Sequence, residues 1–270
     1  MRALGGRRVL ITGASSGIGR CLAFQLTACG ARVALAARSA DKLQTLAQSL
    51  AVQRAAALAV PADVTLPADR RRLLDTVAQH LGGLDVLVNN AGLGSFGHFA
   101  ESSEPVLRQL MEVNFFAPAE LMRLALPLLR QGQQPAIVNV VSMCGRRALP
   151  AWPEYSASKF ALCGLSEALR AELVRFGIDV IMILPGLTRT DLGTHLLRNE
   201  GRMKIDFSGG MPPEKVARRI VKALKANQAE AVLGWEARLI LSVNRFLPRL
   251  VDRVLARKVR QWYGDETAGG

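Results

Sequence analysis

What most constrains this chain is a rhythm. Six times before residue 185, a short and mostly apolar run is followed by a segment long enough for a helix. The runs fall at 7–12, 31–37, 55–60, 84–88, 136–141 and 178–184. The intervening segments, at 17–29, 41–51, 68–81, 105–130 and 153–176, place apolar residues at helical spacing. Runs rich in Val, Ile, Leu and Ala, with no polar alternation, belong to strands covered on both faces. Strands of that kind joined by helices form a parallel sheet, because each crossover is right-handed and lays its helix on one side or the other. The expectation is an α/β fold: one doubly wound parallel sheet, about seven-stranded once a short run at 230–233 is added after a helix at 213–226. No linker, repeat or low-complexity tract divides the 270 residues, so a single domain is expected, 1–233, with a helical extension at 234–270.

In doubly wound sheets ligands bind at the carboxyl ends of the strands, and the chemically informative residues fall there. Directly after the first run comes Thr12-Gly13-Ala14-Ser15-Ser16-Gly17-Ile18-Gly19. Glycines let backbone approach a pyrophosphate closely, and the helix opening at Gly17 offers free N–H groups and the positive end of its dipole. Ser142 closes the fifth run. Thirteen residues on, Tyr155-Ser156-Ala157-Ser158-Lys159 sets a phenol and an ammonium one helical turn apart on one face. A cation held near a phenol favours the phenolate, which makes the pair a device for moving protons.

These motifs, in this order, are similar to those of the short-chain dehydrogenase/reductase family, with Thr12–Gly19 resembling its Thr-Gly-x-x-x-Gly-x-Gly cofactor loop and Asn89-Asn90-Ala91-Gly92 its Asn-Asn-Ala-Gly motif. The resemblance runs from about Arg7 to Leu233 and implies a Rossmann-type fold and hydride transfer between a nicotinamide dinucleotide and a carbonyl or alcohol. It implies a catalytic set of Asn114, Ser142, Tyr155 and Lys159, with Tyr155 as general acid and base and Asn114 holding a water in the proton relay. Lys159 would lower the Tyr155 pKa and hydrogen-bond the nicotinamide ribose. The cofactor would meet Gly13, Ser15, Ser16, Gly17, Ile18, Gly19, Asn90, Ala91 and Gly92, with Asp63 and Val64 at its adenine and Pro185, Gly186, Thr188 and Thr190 at its carboxamide. Family members commonly form homodimers or homotetramers through the helices here at 105–130 and 153–176.

The choice between NAD(H) and NADP(H) is made at the end of the second strand, where a carboxylate would bind a ribose 2′-hydroxyl and a cation a 2′-phosphate. Ala37 stands in the acid position and Arg38 follows, which favours NADP(H); the alternative is that Arg38 is simply solvated. The loops expected to build the substrate pocket are mostly apolar, offering Phe96, Phe99, Met143, Leu149, Trp152, Leu187, Leu192, Leu196, Leu197 and Met203. A lipophilic ketone, aldehyde or alcohol is the expected substrate. Arg146 and Arg147 are candidates to meet an acidic substrate, or loop residues in water.

Composition narrows the remaining classes. The formal charge of +13 comes from arginines spread from Arg2 to Arg260, with 14 aromatics and no basic, aromatic-interleaved motif, so no nucleic-acid partner is expected. Cys21, Cys29, Cys144 and Cys163 match no zinc or disulfide spacing, and His80, His98 and His195 no ligand spacing; a cytoplasmic chain without a metal is expected. In the extension, Leu239, Val243, Phe246, Leu247, Leu250, Val254, Leu255 and Trp262 recur at helical spacing beside Arg245, Arg249, Arg253, Arg257 and Arg260, with Pro248 expected to divide it. It would either cover the substrate loop or a subunit interface, or lie on an anionic membrane as a peripheral contact. Three other readings stay open: a 3-oxoacyl reductase acting on carrier-bound chains, a non-enzymatic NADP-binding protein, and a membrane-surface binding protein.

Overall fold

The structure is a computed structural model and describes residues 1–52, 57–190, 193, 195–200 and 206–263. Its strands are β1 (Arg8–Thr12), β2 (Arg32–Ala37), β3 (Ala57–Pro61), β4 (Val86–Asn89), β5 (Ala136–Val140), β6 (Asp179–Pro185) and β7 (Glu230–Leu233). All neighbours pair in parallel, in the order β3-β2-β1-β4-β5-β6-β7. Side chains alternate across the sheet, and both sets are apolar. Val9, Ile11, Val33, Leu35, Val86, Val88, Val138 and Ile183 join one buried cluster with helices α1 (Gly17–Thr27), α2 (Ala40–Val52) and α7 (Pro213–Ala226). Leu10, Ala34, Leu87, Ile137, Met182 and Leu184 join the other with α3 (Pro67–Leu81), α5 (Ala117–Arg130) and α6 (Pro153–Glu172). Each fully buried Leu, Ile or Val contributes about 1.5–3 kcal/mol, so two covered faces explain why the runs carry almost no polar residue. Strand order reverses between β1 and β4, and that reversal opens the crevice in which the site lies.

Two expected helices differ in detail, and the start of one expected strand is not described. The expected third strand begins at Ala55, but Ala55 and Ala56 lie outside the described residues. The helix expected across 105–130 is α4 (Glu104–Met111) and α5, joined by a wide π-helical turn at Glu112–Phe116. Pro118 has no N–H to give the carbonyl of Asn114 four residues back, so regular α-helical pairing cannot continue through this point. The helix expected across 153–176 tightens after Glu172 into a 3₁₀ turn, Leu173–Phe176, and stops at Gly177, whose φ of 64° suits glycine.

The extension forms α8 (Trp235–Phe246) and α9 (Pro248–Tyr263), separated at Pro248; residues 264–270 lie outside the described ones. Ala237, Ile240 and Leu241 of α8 pack onto the cluster that holds Met143, Trp152 and Tyr155. The outer side is different: Trp235, Leu239, Phe246, Leu247, Leu250 and Val254 are exposed. No helix among the described residues is long and apolar enough to cross a membrane.

At the opposite edge from the crevice, Asp85 holds the start of β4. Its carboxylate accepts the main-chain N–H groups of Arg8 (2.8 Å) and Gln133 (2.7 Å) and the Arg8 guanidinium (2.6 and 3.0 Å), joining β1, β4 and the turn before β5. Burial works to raise its pKa, but the hydrogen bonds from the Arg8 side chain, Arg8 and Gln133 main chain and the Arg8 charge together outweigh it, and the carboxyl lies below its ordinary value. A depressed carboxyl contributes stability above the unfolded pKa of about 4 that disappears as pH falls through the folded one. Asp85→Ala should therefore cost about 3–5 kcal/mol in urea unfolding at pH 7, with the difference from wild type shrinking as the pH is lowered through the carboxylate range. A loss below about 1 kcal/mol would remove Asp85 from this role.

Candidate active site

The glycine loop is shaped by contact as well as by turn geometry. Gly13 and Gly17 have φ of 63° and 49°, where a side chain would be strained. A Cβ on Gly13 would stand 2.8 Å from Ala91 Cα, and one on Gly19 would stand 2.3 Å from the Gly13 carbonyl oxygen and 2.6 Å from Asn90 Nδ2. Asn90 is the reason for this crowding. Its amide donates to the carbonyls of Thr12 (2.9 Å) and Gly13 (3.1 Å), while Thr12 Oγ1 accepts the N–H groups of Asn90 (3.0 Å) and Ala91 (3.1 Å). The end of β4 is thereby laced to the end of β1.

The loop opens onto a cavity of about 1640 Å³. Its wall includes Gly13, Ser15, Ser16, Gly17 and Ile18, then Arg38, Asp63 and Val64, then Asn90, Ala91 and Gly92, and on the far side Ser142, Tyr155, Lys159, Pro185, Gly186, Thr188 and Thr190. Gly19 and Asn114 stand behind the wall. Asp63 is held in place by Thr65, whose N–H (2.9 Å) and hydroxyl (2.7 Å) donate to its carboxylate. Ser39 and Lys42, which the motifs do not mark, also line the cavity at its Arg38 end. Lys42 lies in the first turn of α2, four residues beyond Arg38. The long cavity, the glycine cradle that a Cβ would fill and the cations beyond β2 together fit a dinucleotide.

Ser142, Tyr155 and Lys159 come together as expected. Ser142 Oγ accepts the N–H of Cys144 (3.1 Å), which leaves its own proton free to be donated. The Tyr155 ring is wedged by aromatic contacts, with the Trp152 centroid 5.3 Å away and Phe96 5.3 Å beyond Trp152. Lys159 Nζ lies 3.4 Å from the Val140 carbonyl and 5.8 Å from the centre of the Tyr155 ring. Burial sets the electrostatics. It pushes the Tyr155 phenol well above its ordinary value, reinforced by Cys144 and opposed by the Ser142 hydroxyl, and it lowers the Lys159 ammonium to about 8. Desolvation dominates at the Tyr155 phenol, and the Lys159 charge is not among the effects that oppose it.

Asn114 is fully buried, and its side chain is occupied by protein. Its Oδ1 accepts the N–H of Leu93 (2.9 Å), and its amide donates to the Leu93 carbonyl and to Ser158 Oγ (2.9 Å each). Ser158 Oγ in turn donates to the Tyr155 carbonyl (2.7 Å). The side-chain atoms of Asn114 that would hold a relay water are thus taken by Leu93 and Ser158, and its main-chain carbonyl is the one that Pro118 deprives of its α-helical donor. The side chain braces the loop after β4 against the helix that carries Tyr155. Ser158 was not among the expected site residues, although it lies within the motif.

The apolar end of the cavity is built from Met143, Leu149, Trp152 and Leu187, joined by His195, Asp206 and Phe207, which sequence reasoning did not single out. Phe96 is instead buried behind Trp152, and Phe99 is 69% exposed. Leu192 and Met203 lie outside the described residues. Arg146 and Arg147 neither meet the cavity nor stand alone in water: Arg146 binds Glu167 and Glu230, and Arg147 binds Asp252 of α9 (2.5 Å) and Asn244 of α8 (3.1 Å). Cys144 is buried in the wall, and burial pushes its thiol up to about 11. Among the described residues no group of three or more His, Cys, Asp or Glu side chains is placed to hold a metal.

The sequence profile of the family described as short chain dehydrogenase matches residues 7–201. The chain is 33% identical over 264 residues to dehydrogenase/reductase SDR family member 7B of Bos taurus, covering 94% of this chain and 81% of that protein. It is 31% identical over 270 residues to the ketoacyl reductase HetN of a Nostoc species, covering 98% and 91%. Among solved structures, a short chain dehydrogenase/reductase from Burkholderia phymatum in complex with NAD superposes with a TM-score of 0.85 at 25% identity, covering 93% of this chain and 96% of that one. A short chain dehydrogenase from Burkholderia cenocepacia in complex with NADP gives 0.80 at 26%, covering 94% and 99%.

The buried ammonium makes a stability prediction of definite sign. With Lys159 near 8 and its ordinary value 10.5, the folded protein gives up a proton that the unfolded chain keeps, so wild-type stability rises with pH between those values. Lys159→Met should raise the thermal midpoint at pH 7 by a few degrees, with the gain narrowing by pH 10. An unchanged midpoint at pH 7 would mean that the ammonium is adequately solvated.

Proposed function

The chain belongs to the short-chain dehydrogenase/reductase family and is an oxidoreductase that uses a nicotinamide cofactor, and on that premise we propose that it interconverts lipophilic ketones or aldehydes and their alcohols with NADP(H). The observation that carries this reading is the meeting of Ser142, Tyr155 and Lys159 in one cavity with the glycine loop and an apolar wall. The dinucleotide supplies or takes up the hydride. Tyr155 gives its phenolic proton to the carbonyl oxygen during reduction, and takes the hydroxyl proton in the reverse direction. A phenol held protonated by burial is ready to act as the acid. Ser142 donates its hydrogen to the same oxygen and stabilises the negative charge that develops there. Lys159, still mostly charged at neutral pH, opposes the negative charge left on Tyr155 and offers donors to a ribose.

Support for NADP(H) is the trio Arg38, Ser39 and Lys42, exposed along the cavity where Ala37 replaces a carboxylate. The two solved relatives bind NAD in one case and NADP in the other, so the assignment rests on this chain's own residues. Support for a lipophilic substrate is the Met143, Leu149, Trp152, Leu187 and Phe207 wall. A 3-oxoacyl thioester suits the same wall, and the likeness to a ketoacyl reductase favours including it. Initial rates on apolar ketones, aldehydes and 3-oxoacyl thioesters should be faster with NADPH than with NADH by at least about tenfold. Tyr155→Phe should abolish turnover while leaving NADPH affinity within about twofold. Near-normal turnover by that variant would remove Tyr155 from proton transfer.

A second reading concerns the extension. Trp235, Leu239 and Phe246 fall on one face of α8 and continue across the elbow into Leu247, Leu250 and Val254, with Arg245, Arg249 and Arg253 interleaved. Such a face suits an anionic bilayer surface. Full-length protein should sediment with vesicles containing phosphatidylserine but not with phosphatidylcholine alone, and Trp235→Ser with Phe246→Ser should abolish the binding. Equal sedimentation by wild type and variant would end this reading.

A further inference from the structure

The loops after β4 and β6 are joined beside the apolar end of the cavity, and the join is built first from main chain. Leu197 N–H donates to the Gly94 carbonyl (2.9 Å), Phe96 N–H to the Arg198 carbonyl (3.0 Å) and Glu200 N–H to the Phe96 carbonyl (3.0 Å), which makes a short parallel ladder. The Arg198 side chain lies across it. Its guanidinium donates to Glu200 (2.6 and 2.9 Å) and to the His98 carbonyl (3.3 Å), and it packs on Gly97 so closely that a Cβ there would stand 3.2 Å away. The Arg198 side chain is 9% exposed against 61% for Glu200, which sets the pair apart from an ordinary surface ion pair of little worth. Charge-assisted bonds from a guanidinium fixed by burial are of the stronger kind.

Arg198 does not line the cavity, but both loops it joins lead into it. His195, three residues earlier, lines the cavity, and Leu196 packs against the cluster of Phe96, Trp152 and Tyr155. On the other loop, the Phe96 ring meets Trp152 and Trp152 meets Tyr155, while the Gly97 N–H donates to the Ala151 carbonyl (2.9 Å) just before Trp152. We propose that Arg198 is a positioning residue for the carbonyl substrate: it clasps the loop after β6 to the loop after β4 and so holds the wall from His195 to Trp152 in its binding arrangement before substrate arrives. The identity of the occupant rests on the carbonyl-reductase reading above. The parts expected to hold the dinucleotide are fixed separately, the glycine loop by Asn90 and the Thr188 segment by its pairing with Met211. The clasp therefore serves the substrate and not the cofactor.

Without the clasp only a fraction of molecules present the finished wall, and substrate affinity falls by that fraction, whereas the reacting atoms of the bound complex are arranged as before. Arg198→Ala in the full chain with NADPH should raise KM for 2-decanone about tenfold, with kcat and the Kd of NADPH each within about twofold of wild type. Glu200→Gln, an exposed change that removes only the carboxylate charge, should raise KM less and in the same pattern. An unchanged KM in both variants overturns the proposal. So does a loss shared by kcat, KM and NADPH affinity, which would make Arg198 a support of the whole fold. Wild-type protein that does not turn over 2-decanone would count against the reductase reading instead. The clasp is then decided by amide hydrogen exchange at Phe96, Leu197 and Glu200 in the full chain. Arg198→Ala must speed that exchange at least about tenfold while the amides of β1 and β4 keep their protection, and equal rates overturn it.

Discussion

The side-chain amide of Asn90 is the interaction on which the site depends. A parallel sheet brings the ends of β1 and β4 side by side at its point of reversal, but adjacency alone would leave two independent loops. By donating to the carbonyls of both Thr12 and Gly13, Asn90 turns the glycine loop into a fixed cradle. The crowding that results explains the glycines better than turn geometry does, because Gly19 has no positive φ yet cannot carry a Cβ. The same strand end continues into Gly92 and Leu93, where Asn114 takes over. Through Leu93 and Ser158, Asn114 connects the loop after β4 to the helix that carries Tyr155 and Lys159. The glycine loop and the helix that carries Tyr155 are parts of one hydrogen-bonded frame.

That frame is stable enough to bury groups that would rather face water. Tyr155, Lys159 and Cys144 lie close together with little access to solvent, and burial drives each toward its neutral form. For the proposed reduction this is useful electrostatics. A neutral phenol beside a developing alkoxide is a strong donor in a low dielectric, and a nearby ammonium needs to act only as charge appears. The cost falls on the rest of the molecule, whose two covered sheet faces supply the apolar burial that offsets it.

Much of this was legible in the sequence because its signals are local. The strands follow from apolar runs, the cradle from glycines at the end of β1, and the Tyr155–Lys159 pair from helical spacing. Pro118 also carried its message locally, but apolar spacing runs unbroken across 105–130 and hides the π turn at Asn114. What could not be read was long-range. Arg147 finds its partner 105 residues away in Asp252, and Arg146 finds Glu230 at a separation of 84. Burial of the phenol is likewise a property of the assembled cluster: the motif displays a cation one turn away, yet it says nothing of the aromatic wedge of Phe96 and Trp152 that removes water. Arg38 was readable as the cation that follows β2, whereas Lys42 acquires meaning only from its exposure beside the same cavity.

In the proposed reaction hydride passes directly between a bound nicotinamide and a carbonyl positioned by Ser142 and Tyr155. Reduction of an apolar ketone with NADPH deuterated at the transferable C4 position, followed by mass spectrometry of the alcohol, tests it most directly. One deuterium is expected on the new carbinol carbon from one of the two C4 epimers and none from the other. Alcohol formed without deuterium from either epimer would contradict it, since the reducing hydrogen would then have come from elsewhere.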